Sequence, residues 1–259
     1  MPFLEIDGAP LHYRWDGAAD RPVLVLSNSL GTDLSMWDAQ IPELSRHFRL
    51  LRYDTRGHGQ SSLPTGPCTL ARMGEDAVSL LDALDLDRVD FCGLSMGGAI
   101  GQWLGIHHPD RLRKLVLANT AAKFGQPENW TARIEQVRKA GIQSLLPGLL
   151  DRWVTADYQA AEPETVARIR EMLLATPAEG YCACCEALRD IDQHALLHII
   201  GVPTLVIAGA NDMATPPALG EFLAGAIPGA CFVSLPTAHL SNIEASSAFT
   251  AAVLSFLLC

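Results

Sequence analysis

The chain has 259 residues, of which 49% are hydrophobic and 19% are charged, so its composition is that of a folded globular protein. Its net charge of −10 at pH 7 excludes the basic surface that a nucleic-acid-binding protein needs. The sequence has no run of about 18 apolar residues, the length that a membrane span requires. Its first fifteen residues lack the pattern of a signal peptide. We therefore expect a cytoplasmic protein with neither a nucleic-acid nor a membrane partner, and the sequence is compatible with a homo-oligomer.

The seven cysteines favour free thiols, because their number is odd and the chain lacks export signals. Cys182, Cys184 and Cys185 lie close together, which raises the question of a metal site. Structural zinc sites favour two residues between paired ligands, and this spacing does not match them. We therefore expect the cysteines to be small apolar residues and the protein to bind no metal.

Short apolar runs alternate with segments of helical periodicity along most of the chain. The segment from Leu4 to Arg14 alternates around Gly8 and predicts an antiparallel hairpin at a sheet edge. Near-continuous apolar strands separated by helix-length segments predict an α/β fold, with a mostly parallel central sheet and helices on both faces. The predicted strands lie at residues 23–27, 49–53, 89–93, 114–118, 204–208 and 231–235.

The helical segments are unevenly distributed. Apolar spacing predicts helices at residues 35–46 and 73–84, between the early strands. No strand is predicted between residues 118 and 204, where helical stretches lie at 129–141 and 163–175. A structureless loop of that length is uncommon in a compact domain, so this region predicts a helical cap inserted into the core. The expected division is a core at 1–121, a cap at 122–191 and a second part of the core at 192–259.

Ser95 is the candidate nucleophile. It lies in the sequence Gly93-Leu94-Ser95-Met96-Gly97, directly after a predicted strand and before a predicted helix. A serine on such a tight turn needs small residues two positions away on either side, because neighbouring chain segments come too close for side chains. The alternative interpretation is a glycine-rich turn with an idle serine, but the strand and helix on either side favour the nucleophile.

A nucleophilic serine needs a histidine base and a carboxylate that orients the base, in the chain order serine, acid, histidine. Asp212 follows the strand at 204–208, and His239 follows the strand at 231–235. Both therefore lie at the carboxyl ends of strands, where open α/β sheets place their functional groups. His58 also follows a strand but precedes the serine, so we assign it a structural role.

An oxyanion hole requires two backbone donors. The N–H of Met96, directly after the serine, should be one donor. The other should come from the loop after the strand at 23–27, where we choose Leu30 before Ser29.

These motifs resemble the α/β-hydrolase superfamily over essentially the whole chain, and within it the 3-oxoadipate enol-lactonase family. Ser27-Asn28-Ser29-Leu30-Gly31 departs from the His-Gly that many relatives carry at this place. The segments that carry the resemblance lie at residues 26–37, 51–59, 91–98, 152–158 and 239–244.

The resemblance implies an enzyme that opens a small, anionic enol-lactone to 3-oxoadipate in the catabolism of aromatic compounds, by way of an acyl-enzyme and without a cofactor. A lactone with a carboxymethyl arm implies a mainly apolar pocket with one cation. Arg133 matches an arginine expected in the family, and Trp130 and Trp153 are further candidate pocket residues. A helix-surface arginine or tryptophan can instead be solvated or can join the cap to the core.

Other functions fit the same motifs. Within hydrolases they are a general carboxylesterase, a perhydrolase and a carbon–carbon bond hydrolase of ring-cleavage products. A ligand receptor with a hydrolase fold is the non-enzymatic alternative, against which the intact set of Ser95, Asp212 and His239 counts.

Overall fold

The fold is an α/β structure built on one central sheet. The computed structural model describes residues 2–64 and 66–259. Met1 and Thr65, which fall within the predicted first part of the core, lie outside the described residues. In the described part of the chain, the strands are β1 (Phe3–Ile6), β2 (Ala9–Asp16), β3 (Val23–Ser27), β4 (Arg49–Tyr53), β5 (Val89–Leu94), β6 (Leu112–Ala118), β7 (Thr204–Gly209) and β8 (Cys231–Leu235).

The strand order in this sheet is β1-β2-β4-β3-β5-β6-β7-β8. The pairs from β4 to β8 are all parallel, whereas β1 and β2 form an antiparallel hairpin at one edge, with Phe3 opposite His12. β3, β5 and β7 are buried along their whole length, which explains why their sequences are almost uninterruptedly apolar. The α/β fold class, the edge hairpin and all six predicted strands are therefore confirmed.

Helices pack along the sheet and over its carboxyl end. α3 packs on β5 and β6, α9 packs on β7, and α11 packs on β8. The α-helices are α1 (Ile41–Leu44), α2 (Leu70–Ala83), α3 (Met96–His107), α4 (Pro127–Ala140), α5 (Leu146–Trp153), α6 (Ala156–Ala161), α7 (Pro163–Ala175), α8 (Ala178–Asp190), α9 (Pro217–Ala226), α10 (Ser241–Glu244) and α11 (Ser246–Leu257). Shorter 3₁₀ segments lie at Leu34–Gln40, Pro109–Arg111, Ile142–Leu145 and His194–Ile199.

The prediction of one helix over residues 35–46 is wrong. The structure has a 3₁₀ segment at Leu34–Gln40, followed by the single turn α1. Pro42 has no N–H to donate to the carbonyl of Asp38, and its ring crowds that carbonyl in an α-helix. The N–H of Ile41 donates to the carbonyl of Asp38 instead, three residues earlier, which is the hydrogen-bond pattern of a 3₁₀-helix.

The helices α4 to α8 lie between β6 and β7, in the region where no strand was predicted. Several of their apolar side chains are buried in the same core as the sheet, among them Ile134, Leu149, Leu173 and Leu188. These helices therefore pack on one another, most closely α4 on α8, and share one core with the rest of the chain. Among the described residues, no helix combines the length and the apolar character that crossing a membrane would take.

Candidate active site

Ser95 occupies the sharp turn between β5 and α3. Its backbone has φ 58° and ψ −113°, a conformation that residues other than glycine seldom adopt. The turn is held because the Ser95 N–H donates to the carbonyl of Ala118 at 2.8 Å, and the Gly97 N–H donates to the carbonyl of Asn28 at 3.0 Å. A Cβ on Gly93 would overlap the backbone of Gly97, and one on Gly97 would overlap the backbone of Ser27. Only glycine fits at these two positions.

Ser95, His239 and Asp212 form one chain of hydrogen bonds across three strand ends. The Nε2 atom of His239 lies 2.9 Å from Ser95 Oγ, and its Nδ1 atom lies 2.8 Å from Asp212 Oδ2. All three residues are buried. The structure thus brings together the three residues that the sequence analysis chose, in the geometry that a serine, its base and an orienting carboxylate require.

Asp212 is the most heavily hydrogen-bonded carboxylate of this region. Its Oδ1 atom accepts the N–H groups of Ala214 and Thr215, and its Oδ2 atom accepts Thr215 Oγ1 and Asn119 Nδ2 besides bonding His239. Burial by itself raises the pKa of Asp212, but the charge of His239 and the hydrogen bonds from His239, Asn119 and Thr215 outweigh it. The net pKa lies below its usual range, so Asp212 is ionised at neutral pH.

The loop after β3 lines the cavity next to Ser95 and carries the candidate oxyanion donors. Three of its backbone N–H groups have partners: Ser29 donates to Met36 Sδ, Gly31 to His58 Nε2, and Thr32 to the carbonyl of Ser29. Leu30 has no such partner among the residues that the structure describes, and it lines the cavity next to Ser95. This arrangement favours Leu30 over Ser29 as a backbone donor.

The N–H of Met96, at the start of α3, likewise has no partner within the described residues. The first N–H groups of a helix point outward and are available to an anion. Leu30 and Met96 are therefore both suited to stabilise negative charge that develops beside Ser95.

His58 stabilises the loop that carries Leu30. It is completely buried, and its Nε2 atom accepts the Gly31 N–H at 2.9 Å. Burial lowers the pKa of His58 to about 4, although the carbonyl of Arg56 and the charge of Asp33 partly oppose this effect. His58 is therefore neutral at pH 7 and lies outside the Ser95 hydrogen-bond chain, as the structural role predicted for it requires.

Ser95 and His239 open into a cavity of about 370 Å³ between the strand ends and the helices α4, α5 and α8. Trp130, Arg133 and Trp153, the three pocket residues predicted from the sequence, all line it. Leu30 lines it as well, whereas Met96 and Asp212 are not among its lining residues. Its apolar lining residues include Leu30, Phe124, Leu149, Trp153, Leu188 and Leu219.

The charge of this cavity contrasts with that of the whole protein. Its lining includes Arg133 and Arg152, and no Asp or Glu is present among the described residues that line it. Neither arginine has an ion-pair partner in the part of the chain that the structure describes. Arg133 packs over the Trp130 ring, with its guanidinium carbon 4.8 Å from the ring centre. Two unpaired cations in an acidic protein make this cavity suited to an anion.

Tyr181 adds a polar group to the cavity wall. Its side chain is buried, and within the described residues its hydroxyl makes no hydrogen bond of good geometry. Burial raises the pKa of Tyr181, and the neighbouring charge of Arg133 opposes that effect. The hydroxyl is therefore a neutral donor beside Arg133.

A search of the described residues finds no cluster of His, Cys, Asp and Glu that could hold a metal ion. The seven cysteines are free thiols, as expected; five of them are buried, and Cys231 and Cys259 are exposed.

Sequence reasoning missed several residues around the site. Asn119 follows β6 directly, so the strand-end rule that found Asp212 could have found it. Thr215 lies three residues after Asp212, within reach of an Asx-type turn. Tyr181 carried no local signal, because its position beside Arg133 depends on contacts between distant parts of the chain.

Known proteins resemble this chain throughout its length. It is 44% identical to 3-oxoadipate enol-lactonase 2 of Acinetobacter baylyi over 94% of this chain and 91% of that protein. The crystal structure of the enol-lactonase from Burkholderia xenovorans LB400 superimposes with a TM-score of 0.98, at 48% identity and 100% coverage of both chains. A hydrolase from Pseudomonas aeruginosa PA01 has a TM-score of 0.96 and 52% identity, covering 99% of this chain and 97% of that one.

The family described as the alpha/beta hydrolase fold matches residues 22–246. This range includes Ser95, Asp212 and His239, together with β3 to β8. The chain therefore belongs to the α/β-hydrolase family.

Proposed function

We propose that the protein is a serine hydrolase that opens 3-oxoadipate enol-lactone with water to give 3-oxoadipate, in the breakdown of aromatic compounds. One observation carries the proposal: Ser95 and His239, hydrogen-bonded in one chain with Asp212, line a cavity whose described walls hold two arginines and no carboxylate. The similarity to enol-lactonases from two organisms supports the same substrate.

The triad accounts for the first half of the reaction. His239 takes the proton of Ser95 as Oγ attacks the lactone carbonyl, and Asp212 holds the ring in the tautomer whose Nε2 atom accepts that proton. The N–H groups of Leu30 and Met96 bind the oxyanion. Collapse of the tetrahedral intermediate breaks the ring C–O bond and releases the enol oxygen, which His239 protonates.

The second half of the reaction regenerates the enzyme. The enol tautomerises to the ketone, which makes ring opening effectively irreversible. Water activated by His239 then attacks the ester between Ser95 and the acyl group, and the second carboxylate of the product forms. The triad supplies every proton transfer, so the mechanism needs no cofactor.

The cavity accounts for the choice of an anionic substrate. We assign the carboxylate of the lactone to Arg133, assisted by the Tyr181 hydroxyl, while Trp130 and Trp153 pack against the ring. A small ring with one charged arm matches a cavity of about 370 Å³ that combines apolar side chains with two arginines. Within this proposal, residues 122–191 act as the cap that closes the cavity over the core segments 1–121 and 192–259. The free thiols support a cytoplasmic location.

The test compares two substrates with purified protein: the enol-lactone, followed by its ultraviolet absorbance, and a neutral aryl ester. We expect kcat/KM for the lactone to exceed that for the ester by at least about a hundredfold, the effect of one well-formed ionic contact together with shape selection. If the protein cleaves the ester efficiently but does not open the lactone, it is a general carboxylesterase. A stoichiometric burst without turnover on either substrate would indicate a receptor.

A further inference from the structure

Glu244, the last residue of α10, is hydrogen-bonded to the loop that carries His239. Its Oε2 atom accepts the backbone N–H of Ala238, the residue before His239, at 2.8 Å. Its Oε1 atom accepts both the backbone N–H of Thr155, at 3.2 Å, and the Thr155 hydroxyl. Thr155 is the N-cap of α6, where its hydroxyl also accepts the N–H of Tyr158. The Glu244 carboxylate therefore joins the loop that carries His239 to the start of α6.

A second contact acts on the other side of the histidine. The N–H of Leu240, the residue after His239, donates to the carbonyl of Trp153 at 2.8 Å. Trp153 is the last residue of α5 and part of the cavity wall. Both backbone neighbours of His239 are thus held by the segment 153–155, one directly and one through Glu244. This segment lies within residues 152–158, which carry the sequence resemblance together with residues 239–244.

We propose that Glu244 is a positioning residue for hydrolysis, which fixes the backbone of His239 relative to the cavity wall. The position of the base then depends on the position of the segment 153–155. The proposal rests on the proposed function only in assigning the base to His239. If the cavity wall moved at Trp153, the hydrogen bonds to Leu240 and to Glu244 would both shift. Substrate binding against this wall would thereby affect the distance between His239 and Ser95.

The chemistry of Glu244 makes the proposal testable with a substitution of equal size. A carboxylate can accept from all three donors, because both of its oxygens are acceptors. In Glu244→Gln, one oxygen is replaced by an NH2 group, which must face either the Ala238 N–H or the two donors of Thr155. Either the Ala238 N–H or the Thr155 N–H loses its acceptor whichever way the amide turns, although the side chain keeps its shape.

The experiment measures kcat and KM for the lactone and for a neutral aryl ester, together with the dissociation constant of a non-reactive carboxylate analogue. We expect Glu244→Gln to lower kcat for both substrates by about 10- to 100-fold, the effect of a shift on the order of 1 Å in a catalytic group. KM and the analogue's dissociation constant should change less than about threefold, because the cavity lining is intact. Glu221→Gln, an exposed residue of α9 with the same change of charge, is the matched control and should behave as wild type.

A second pair of variants tests the contact between Glu244 and Thr155. Thr155→Ala removes the hydroxyl donor and should lower kcat about two- to fivefold, whereas Thr155→Ser keeps the donor and should restore wild-type kcat. If Glu244→Gln fails to fold, this pair decides the question. Equal kcat in Thr155→Ala, Thr155→Ser and wild type would overturn the proposal, as would a folded Glu244→Gln whose kcat stays within twofold of Glu221→Gln.

The aryl ester separates this proposal from the choice of substrate. If the lactone is not a substrate but Glu244→Gln still lowers kcat for the ester, the positioning role stands and the lactonase assignment falls. If wild type opens the lactone and Glu244→Gln is unimpaired on both substrates, the positioning role alone falls.

Discussion

The side-chain amide of Asn119 donates to Asp212 Oδ2 at 3.0 Å, although the two residues follow different strands, β6 and β7. The same amide nitrogen lies 3.2 Å from the carbonyl of Ala238, and Ser241 donates to the Asn119 oxygen. Asn119 therefore joins the loop that carries the acid to the loop that carries the histidine. Its backbone has φ 45°, a left-handed conformation that asparagine tolerates better than most residues.

Removing the Asn119 amide should lower kcat by about tenfold, because a hydrogen bond to a charged group is worth about 1.5–3 kcal/mol and part of it is replaced by water. Two variants separate the amide from the backbone. Asn119→Gly removes the side chain and relaxes the left-handed backbone, whereas Asn119→Ala removes the side chain and adds strain. We expect the same loss of kcat on the aryl ester in both variants. A loss confined to Asn119→Ala would assign the effect to strain instead.

Arg133→Gln should raise KM for the anionic lactone by about 10- to 100-fold while changing KM for a neutral ester less than about threefold. The physical reason is the loss of a charge-assisted hydrogen bond to the substrate carboxylate. Arg170→Gln, on the exposed surface of α7, makes the same change of charge away from the cavity and serves as the control. Equal effects of Arg133→Gln on both substrates would remove the carboxylate-binding role.

The pH dependence of stability should report the burial of His58. The pKa of this residue is lowered from 6.5 to about 4 in the folded protein, so between these values the unfolded chain binds a proton that the folded protein does not. The free energy of unfolding should therefore fall as the pH is lowered from about 6.5 to about 4, at up to about 1.4 kcal/mol per pH unit from this group.

His58→Gln isolates that contribution, because a glutamine oxygen can still accept the Gly31 N–H but does not titrate. Urea unfolding of both proteins at a series of pH values should give a smaller decrease for the variant over this interval. Parallel curves for the two proteins would show that His58 does not titrate with the shifted pKa.

Gly97→Ala should destabilise the protein by about 3 kcal/mol or more and reduce activity severely, because the new Cβ would overlap the backbone of Ser27 and force the Ser95 turn apart. Gly225→Ala, on α9, is the matched control, since a Cβ there meets nothing within 4 Å. That variant should be neutral or more stable by about 0.5–1 kcal/mol. A stable, active Gly97→Ala would contradict the close packing at the turn.

The parts of the fold that depend on local chemistry could be predicted from the sequence. β3, β5 and β7 are recognisable because burial on both faces demands continuous apolar residues, and Ser95, Asp212 and His239 follow from the rule that functional groups lie at the carboxyl ends of strands. The predicted helix at 35–46 is wrong because apolar spacing is similar in a 3₁₀ segment and an α-helix, and Pro42 decides between them.

The residues that sequence reasoning missed depend on distances between remote segments. Nothing near Glu244 indicates that Thr155 will lie against it, and nothing near Tyr181 indicates that its hydroxyl will lie beside Arg133. Both contacts depend on how the helices α4 to α8 pack against the rest of the chain. Only the three-dimensional structure specifies that packing, because it joins surfaces far apart in the sequence.

The most direct test of the account compares wild type with Ser95→Ala on the enol-lactone, with folding of both proteins checked by circular dichroism. The account predicts that wild type opens the lactone with turnover and, on rapid acid quenching, carries the acyl group on Ser95, detectable by mass spectrometry. Ser95→Ala should lose at least about a thousandfold in kcat and carry no acyl group, because the hydroxyl that His239 activates is removed. Lactone opening by Ser95→Ala at the wild-type rate would contradict the central claim.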